Sequence, residues 1–435
     1  MKRIGLCLIF LSALLSVFQP ARAQTDEPLA LVLTAEGPIM PPMYEYIKRG
    51  VETAEQENAG LLVLQLNTPG GSIDTLYDIV ETMTNSGTPI VVYVSPRDAQ
   101  AASAGALVTM AGHASAMAPR TVIGAASPIE GSGADIESTL EKKIKEDLKA
   151  KARGLVQRRG EKAVELSDAM IDDAKAVTAD EALEAGLIDF AADDLEDLLQ
   201  ALNGFEVEVN GETRALNTHD IRAEPLAMSF IEQLLLFLTS PNIVFSLFSL
   251  GAMAILIEIS SPGGWVSGFV GVICVTLSIY GMGLLSLNWF GAVFLVTAFV
   301  LFILDIKAPT HGALTAAGVA SFIVGALVLF NSPGVPQFQR VSVPLVIGVG
   351  VSIGLMFLGV LMFALRALHI PISMGVESMI GKTGTAKTWG EAGGQVQLQS
   401  ELWSAESVHE SDKISKGDKV EVVEVQGLRL KVKKK

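Results

Sequence analysis

The chain is poor in cysteine and histidine, and each shortage narrows what it can be. Its 435 residues include two cysteines, Cys7 near the start and Cys274 in an apolar run, so no disulfide framework is expected even in an oxidising compartment. The histidines stand apart from one another, and no pattern of paired ligands predicts a metal site. No phosphate-binding P-loop pattern occurs, so we expect no cofactor and no dependence on ATP.

Positive charge is scarce as well. The chain has 32 Lys and Arg residues against 47 Asp and Glu residues, and the net charge of −15 argues against nucleic acid as a partner of the whole chain. Apolar residues are abundant and unevenly spread, because residues from about 242 to 368 are almost continuously apolar. The pattern predicts several domains, with a membrane part between two soluble parts.

The first 23 residues have the pattern of a secretory signal peptide. Lys2 and Arg3 precede an apolar stretch that ends at Phe18, and residues 21–23, Ala-Arg-Ala, form a small-residue cleavage site. An uncleaved anchor helix is the alternative, but the apolar stretch is short for a membrane span. We therefore expect residues 24–222 to be exported.

Residues 24–222 alternate between strand and helix patterns. Buried-type strands are expected at 29–34, 61–66 and 90–94, and helices at 43–58 and 73–84. This order predicts a mainly parallel sheet surrounded by helices. A segment rich in Gly, Ser and acidic residues, 129–136, predicts a mobile loop, and a charged amphipathic helix is expected from Glu137 to Arg159.

Residues 223–371 form the expected membrane domain. Five apolar spans are predicted at about 242–259, 264–284, 286–306, 312–331 and 343–368. The amphipathic stretch Met228–Leu238 precedes them and could lie at the membrane interface. An odd number of spans after an exported domain leaves the C-terminus in the cytoplasm, and the positive charges Lys307 and Arg366 agree with that orientation.

Residues 372–435 are soluble again and read as short strands with glycine turns, which predicts a small barrel of OB type. OB barrels often bind nucleic acid. This tail has few aromatic residues and one terminal basic run, Lys433–Lys435, so a protein partner is expected instead.

One serine stands out in the exported part. Ser103 lies between an apolar run that ends at Val94 and a helix-compatible run from Ala104 to Met110. This predicts a position at the start of a helix, where free backbone N–H groups lie beside the hydroxyl and small neighbours let another chain approach. We interpret Ser103 as a nucleophile.

A serine hydroxyl needs a base to take its proton. The two histidines of this part, His113 and His219, have no obvious orienting acid, and an ordinary turn or surface role is favoured for both. A lysine buried enough to lose its charge is the other candidate. The charged helix offers five: Lys142, Lys143, Lys145, Lys149 and Lys151. Most should be solvated, and spacing alone does not choose Lys143 over Lys142.

An oxyanion site needs backbone N–H groups aimed at one point. The turn Pro69-Gly-Gly71 can supply one and Ala104 another. The same Pro-Gly-Gly pattern is also compatible with a simple strand-to-helix turn.

Several motifs that occur in order give a specific resemblance. They are Asn67-Thr-Pro-Gly-Gly71, Ala101-Ala-Ser-Ala-Gly105, Met117-Ala-Pro119, Ile123-Gly-Ala-Ala-Ser-Pro128 and, near the C-terminus, Ile380-Gly-Lys-Thr-Gly384 and Glu401-Leu-Trp403. Through them the whole chain resembles the NfeD family, membrane-bound serine proteases of the ClpP/crotonase class that are encoded beside stomatin-like proteins. The resemblance implies a multidomain chain with a ClpP/crotonase-like α/β exported domain, an all-α transmembrane bundle and an OB-type barrel.

The resemblance also implies residue roles. The family's nucleophile falls on Ser103, and its base, a lysine that opens the helix after the mobile loop, falls on Lys143; a shift of one residue would exchange Lys143 with Lys142. The glycine of the family's oxyanion hole falls on Gly71, with its N–H beside that of Ala104. ClpP itself uses a histidine in the stretch matching residues 122–125, which contains none here.

The expected function is a membrane-anchored, ATP-independent serine endopeptidase that cleaves apolar segments. The family implies a stomatin-like membrane protein as substrate or partner, and ClpP-like domains commonly oligomerise, so at least a dimer is expected. Two other functions stay open. One is a non-catalytic scaffold for stomatin-type microdomains, in which Ser103 is an ordinary helix-start residue. The other is hydrolysis of signal peptides, by enzymes with the same fold and a Ser-Lys pair.

Overall fold

The computed structural model describes residues 28–128, 138–260, 263–307, 310, 312–333, 335–368, 376–409 and 412–435. They form an α/β domain, a group of apolar helices and a closed barrel, which confirms the expected fold class. The predicted signal peptide, residues 1–23, and the loop predicted at 129–136 lie outside the described residues.

The α/β domain contains short strands and helices in alternation. Its strands are β1 (Leu29–Glu36), β2 (Leu61–Asn67), β3 (Ile90–Val94), β4 (Gln100–Ala102), β5 (Ala114–Met117), β6 (Val122–Gly124), β7 (Ala176–Thr178), β8 (Phe190–Ala191), β9 (Glu206–Val209), β10 (Glu212–Ala215) and β11 (Arg222–Pro225). Its helices are α1 (Pro41–Gln56), α2 (Ile73–Thr84), α3 (Ala104–Ala111), α4 (Ser138–Val156), α5 (Glu161–Asp172), α6 (Ala179–Glu184) and α7 (Leu195–Leu202).

A six-stranded parallel sheet in the order β11-β1-β2-β3-β5-β8 forms the centre of the domain. Its central strands β2, β3 and β5 are almost entirely buried because both faces of the sheet are covered there, as is usual for parallel sheets, whereas the edge strand β11 is polar and largely exposed. On β2, Leu62 and Leu64 pack beneath α1 and α2, while Leu61 and Val63 face a second cluster that includes α7. The expected mainly parallel sheet is therefore confirmed.

Three elements near the site differ from the sequence expectation. The strand that leads into Ser103 is β4 and not β3. The sequence did not predict β4 because the short Gln-Ala-Ala run carries no apolar strand pattern. β4 pairs with β6, and β6 with β7, in a second small sheet. Helix α5 and strand β11 were also not expected; β11 pairs with β1 and lies across the domain boundary predicted after residue 222, which stays a prediction.

A short helix, α8 (Phe230–Phe237), links the α/β domain to the apolar helices. These are α9 (Pro241–Ser260), α10 (Val266–Gly283), α11 (Phe290–Lys307), α12 (Ala313–Asn331) and α13 (Val343–Leu368). Four of the described helices are long and apolar enough to cross a membrane, and the apolar part of α11, Phe290–Asp305, is shorter. The expectation of five spans stays a prediction.

Polar contacts join several ends of the apolar helices. The Ser342 N–H before α13 donates to Asn242 Oδ1 at the start of α9, at 2.8 Å. The Asn288 N–H before α11 donates to Leu329 O near the end of α12, at 3.0 Å. These contacts bring the starts of α9 and α13 together, and the start of α11 to the end of α12.

Residues 376–434 contain a separate closed barrel. Its strands are β12 (Thr383–Gly390), β13 (Gly393–Leu398), β14 (Glu401–Ser407), β15 (Lys419–Gln426) and β16 (Arg429–Lys434), in the closed order β12-β13-β14-β16-β15. β14 and β16 are parallel and the other pairs antiparallel. Five strands closed in this way form a barrel of OB type, as expected.

Candidate active site

Ser103 occupies a sharp turn between β4 and α3. Its backbone has φ 53° and ψ −120°, a region that residues with a side chain rarely adopt, and its N–H donates to Gly124 O at 2.8 Å. The side chain makes no capping bond to α3 and is partly exposed. Among the described residues the Ser103 hydroxyl has no hydrogen-bond partner, and a strained strand-to-helix turn that presents a serine hydroxyl is an arrangement of nucleophilic serines in known hydrolases.

The loop after β2 is fastened beside this turn. The Thr68 N–H donates to Gln100 O at 2.7 Å, and the Ala102 N–H donates to Thr68 O at 3.1 Å. The Thr68 side chain is fully buried, and its hydroxyl accepts the Gly70 N–H at 3.1 Å. Because Thr68 is bonded to both residues that flank Ala101, the Pro-Gly-Gly turn is held in a fixed position next to Ser103.

The two glycines of that turn are required for different reasons. A Cβ added at Gly70, where φ is 112°, would lie 2.7 Å from Ser103 Cβ and 3.2 Å from its hydroxyl oxygen. A Cβ added at Gly71 would lie 1.9 Å from Ile39 O. The first glycine therefore lets the turn approach the serine, and the second lets it approach the segment between β1 and α1.

In the part of the chain that the structure describes, the backbone N–H groups of Gly71 and Ala104 donate no bond outside a helix or strand. The Ile39 N–H donates to Gly70 O and the Ser72 N–H donates to Ile39 O, each at 2.9 Å, and this pair of bonds does not use the Gly71 N–H. The Ala104 N–H is the first of α3, and the first N–H groups of a helix have no acceptor within the helix. These are the two donors that the sequence analysis named.

The candidate lysines lie on α4, which packs against α3 and α5. Lys142 and Lys143 are both exposed. In the part of the chain that the structure describes, no hydrogen bond joins Lys143 to Ser103. The structure therefore brings Ser103 together with Gly70, and it leaves the role of Lys143 as a prediction.

Lys142 lies on the side of α4 that is bonded to α5. Residues seven and eleven positions apart fall on nearly the same face of an α-helix, so Lys142 shares its face with Lys149 and Arg153. Lys149 Nζ lies 3.2 Å from Asp172 Oδ2, and an Arg153 nitrogen lies 2.6 Å from Asp168 Oδ2. This face is occupied by ion pairs between the two helices.

Lys143 lies on a different side of α4, about 100° away around the helix. Asp147, one turn further on, lies about 40° from Lys143 around the helix, and both Asp147 and Lys151 contact Tyr77 of α2. The Tyr77 hydroxyl donates to Asp147 Oδ2 at 2.6 Å, and Lys151 Nζ lies 3.2 Å from the centre of the tyrosine ring. Burial and the Asp147 carboxylate raise the pKa of Tyr77, so its hydroxyl stays a donor.

Neither histidine is placed to serve as the base. His113 is buried beyond the far end of α3, roughly 12 Å of helix from Ser103, and its Nδ1 accepts the Ile90 N–H at 3.0 Å. Burial, assisted by the positive charge of Arg158, lowers the pKa of His113 to about 4. His219 is exposed and pairs with Asp220 at 2.7 Å. These environments agree with the ordinary roles favoured from the sequence.

Two features of the site were not found from the sequence. The anchoring role of Thr68 lies within the Asn-Thr-Pro-Gly-Gly motif, which the sequence analysis used only for its glycines. The bond between Tyr77 and Asp147 joins two helices that are 70 residues apart in the chain, and one sequence carries no signal for such a pair.

The fold and the site together define a class of protein. The chain is a multi-pass membrane protein whose α/β domain presents a serine at a strained helix start, beside a Pro-Gly-Gly turn whose first glycine closely approaches the serine side chain. Family models match along almost the whole chain: the NfeD1b N-terminal domain over residues 32–211, the NfeD integral membrane domain over 242–365, and the NfeD-like C-terminal, partner-binding domain over 376–434. The chain belongs to the NfeD family, as its motifs indicated.

Two full-length relatives are similar to the chain. The membrane-bound protease PH1510 of Pyrococcus horikoshii is 34% identical, over 99% of this chain and 97% of its own length. The membrane protein NfeD1b of Bacillus subtilis is 27% identical, over 99% of this chain and 98% of its own. Among solved structures, the 1510-N membrane protease of Pyrococcus horikoshii, described as specific for a stomatin homologue, is 30% identical and covers 49% of this chain and 99% of its own, with a TM-score of 0.42.

Proposed function

We propose that the chain is a membrane-anchored serine endopeptidase that works with a Ser-Lys dyad and without ATP. The observation that carries the proposal is the geometry of Ser103, which sits at a strained helix start with Gly70 in van der Waals reach of its side chain. The full-length similarity to a membrane-bound protease supports a peptide bond as the target.

In the proposed reaction Ser103 Oγ attacks the peptide carbonyl carbon, and Lys143 Nζ takes the hydroxyl proton. The N–H groups of Gly71 and Ala104 bind the oxyanion of the tetrahedral intermediate. The C–N bond then breaks, and Lys143 gives the proton to the leaving amine. Water attacks the resulting ester, again with Lys143 as base, and releases the acid product and free Ser103.

The faces of α4 support Lys143 over Lys142 as the base. Lys142 shares a face with ion pairs to α5, whereas Lys143 precedes Asp147 by one turn on a face that reaches α2 through Tyr77. Helix α2 begins directly after the glycine turn, so this second face is tied to the loop that carries Gly71. A lysine must lose its proton to serve as base, which requires a drier environment than an open helix surface.

The substrate class that we propose is an apolar segment of a stomatin-like membrane protein. The related solved protease is described as specific for a stomatin homologue, and the family model of the C-terminal domain describes it as partner-binding. We propose that the barrel binds this partner and that the α/β domain cleaves it. ClpP-like domains commonly oligomerise, and we expect at least a dimer.

We further propose that the α/β domain is exported and the barrel cytoplasmic. Helices α9 to α13 supply five crossings if α11 also spans, and an odd number puts the two soluble domains on opposite sides of the membrane. A protease accessibility assay on sealed membrane vesicles, with one cleavage tag in each soluble domain, tests this orientation.

The test of the proposed function uses the full-length protein in detergent and a panel of apolar peptides. Ser103→Ala and Lys143→Ala should each reduce cleavage by about 10³-fold or more, because the dyad acts as a unit. Lys142→Ala is the matched control and should cleave like the wild type. Equal cleavage by wild type and Ser103→Ala would contradict the proposal and favour the scaffold function, while preferred cleavage of released signal peptides would favour the other hydrolase.

A further inference from the structure

Helix α8 connects the α/β domain to the first apolar helix and has two opposite faces. One face is bonded to the α/β domain. The other exposes large apolar side chains that nothing in the described part of the chain covers. Neither face takes part in the chemistry proposed above.

The bonded face is held by charge and by the backbone. Arg49 of α1 donates from Nε and Nη2 to the two carboxylate oxygens of Glu232, at 2.7 and 2.8 Å, and also to Ala227 O at 2.8 Å. The Tyr46 hydroxyl donates to Leu226 O at 2.6 Å. Glu232 is buried, so this contact fixes the orientation of α8 about its own axis.

The opposite face carries three large apolar residues. Phe230, Ile231 and Phe237 are 78%, 66% and 56% exposed. With about 100° between successive residues, these three fall on the side of the helix away from Glu232 and Leu236. A contiguous apolar face of this kind on a soluble surface marks a contact site.

The position of α8 indicates what this face contacts. Only Leu238, Thr239 and Ser240 separate α8 from α9, and three residues span at most about 10 Å. Leu238 is buried, and a Cβ added at Gly281 near the end of α10 would lie 2.7 Å from Leu238 O. The C-terminal end of α8 therefore lies beside the start of α9 and the end of α10.

We propose that α8 lies in the membrane interface with Phe230, Ile231 and Phe237 among the lipid chains, and that it fixes the α/β domain at the membrane surface. The occupant that we propose for the exposed face is lipid, because α8 is amphipathic and only three residues separate it from α9, a helix of membrane length. A second copy of the chain or another protein on this face is the competing outcome of the test.

The same helix is close to the glycine turn of the candidate active site. A Cβ added at Gly37 would lie 3.9 Å from Leu236 Cδ1 of α8, and two residues later Ile39 exchanges two backbone bonds with the turn around Gly71. This second part of the proposal rests on the proposed function: by holding the α/β domain at the membrane surface, α8 would direct the candidate active site to peptide segments that leave that same surface.

The first experiment measures the position of α8 without using activity. In full-length protein with both cysteines replaced by alanine, a spin label at Ile231→Cys is compared with one at Thr213→Cys, an exposed position on the β9–β10 hairpin. In vesicles of phosphatidylcholine and phosphatidylglycerol, the accessibility of each label to oxygen is divided by its accessibility to a water-soluble nickel complex. This ratio should be at least fivefold higher for the label at 231 than for the label at 213. Equal accessibility of the two reagents at 231 would overturn the proposal, and so would shielding from both reagents, which indicates a protein contact.

The second experiment tests the effect on substrate choice. The variant F230Q/I231Q should cleave a peptide joined to a membrane anchor at least fivefold more slowly than wild type in the same vesicles, and should cleave the free peptide at the wild-type rate. Leu183→Gln on α6, which also replaces an exposed large apolar residue with glutamine, is the control and should change neither rate. Equal loss on both substrates would overturn the link to substrate choice. If Ser103→Ala cleaves like wild type, the proposed function fails, while the spin-label result still decides the position of α8.

Discussion

Replacing Gly70 with alanine should damage catalysis more than folding. The new Cβ would lie 2.7 Å from Ser103 Cβ, whereas two carbon atoms in contact lie about 3.5–4.0 Å apart. The turn and the serine must therefore separate by roughly 1 Å, and a displacement of that size at a reacting group costs about 10²-fold in rate. The φ of 112° adds a backbone strain of about 1–3 kcal/mol to the folded state.

The assay pairs peptide cleavage with thermal unfolding of the full-length protein in detergent. Gly160→Ala is the matched control, because Gly160 also has a positive φ, 101°, but an added Cβ there would meet nothing within 4 Å. Both variants should lose stability through the positive φ, Gly70→Ala the more because of its added contact with Ser103, and only Gly70→Ala should lose about 10²-fold in kcat. A Gly70→Ala enzyme with kcat within threefold of the control would refute the reasoning that links this glycine to the position of Ser103.

Three further predictions concern groups around the site. The pKa of buried His113 is lowered to about 4, whereas the unfolded residue keeps a pKa of about 6.5, so the unfolded state takes up the proton first as pH falls. The free energy of unfolding should therefore decrease by about 3 kcal/mol between pH 6.5 and pH 4. His113→Asn should flatten that part of the stability profile measured by chemical denaturation. The bond to Arg49 lowers the pKa of Glu232, so the stability from this pair should be present above about pH 4.5 and lost as pH falls through the lowered pKa. Glu232→Gln should lower the free energy of unfolding at pH 7 by about 1–3 kcal/mol. An unchanged melting temperature would contradict this. Tyr77→Phe removes the bond to Asp147 that joins α2 to α4, the helix of the proposed base Lys143. Steady-state kinetics should show kcat reduced about threefold to tenfold with KM unchanged, and an unaltered kcat would argue against a positioning role.

The sequence was most informative where local chemistry decides structure. The buried strands β2 and β3, helix α2 and the turn at Ser103 follow from apolar runs and from small residues that only certain turns require. The start of α6 is likewise specified locally, by the capping box of Thr178 and Glu181. These signals lie within a few residues of the structure that they specify.

The sequence was least informative where distant segments meet. Strand β4 has no apolar pattern of its own that a sequence could reveal. It is stabilised by its pairing with β6 and by its bridge to Thr68, which are distant in the chain. The proposed preference for Lys143 over Lys142 depends on which face of α4 contacts α2, and that face is marked by the contact of Tyr77 with Asp147. A single sequence contains neither relation.

The central claim is that Ser103 is a catalytic nucleophile. The most direct measurement is covalent labelling of the full-length protein with a serine-directed phosphonate, followed by mass spectrometry of the peptides. The account predicts one phosphonate per active chain, attached to Ser103, with labelling lost in Ser103→Ala and strongly slowed in Lys143→Ala but not in Lys142→Ala. Labelling that is absent from Ser103, while another serine reacts and peptides are still cleaved, would contradict it.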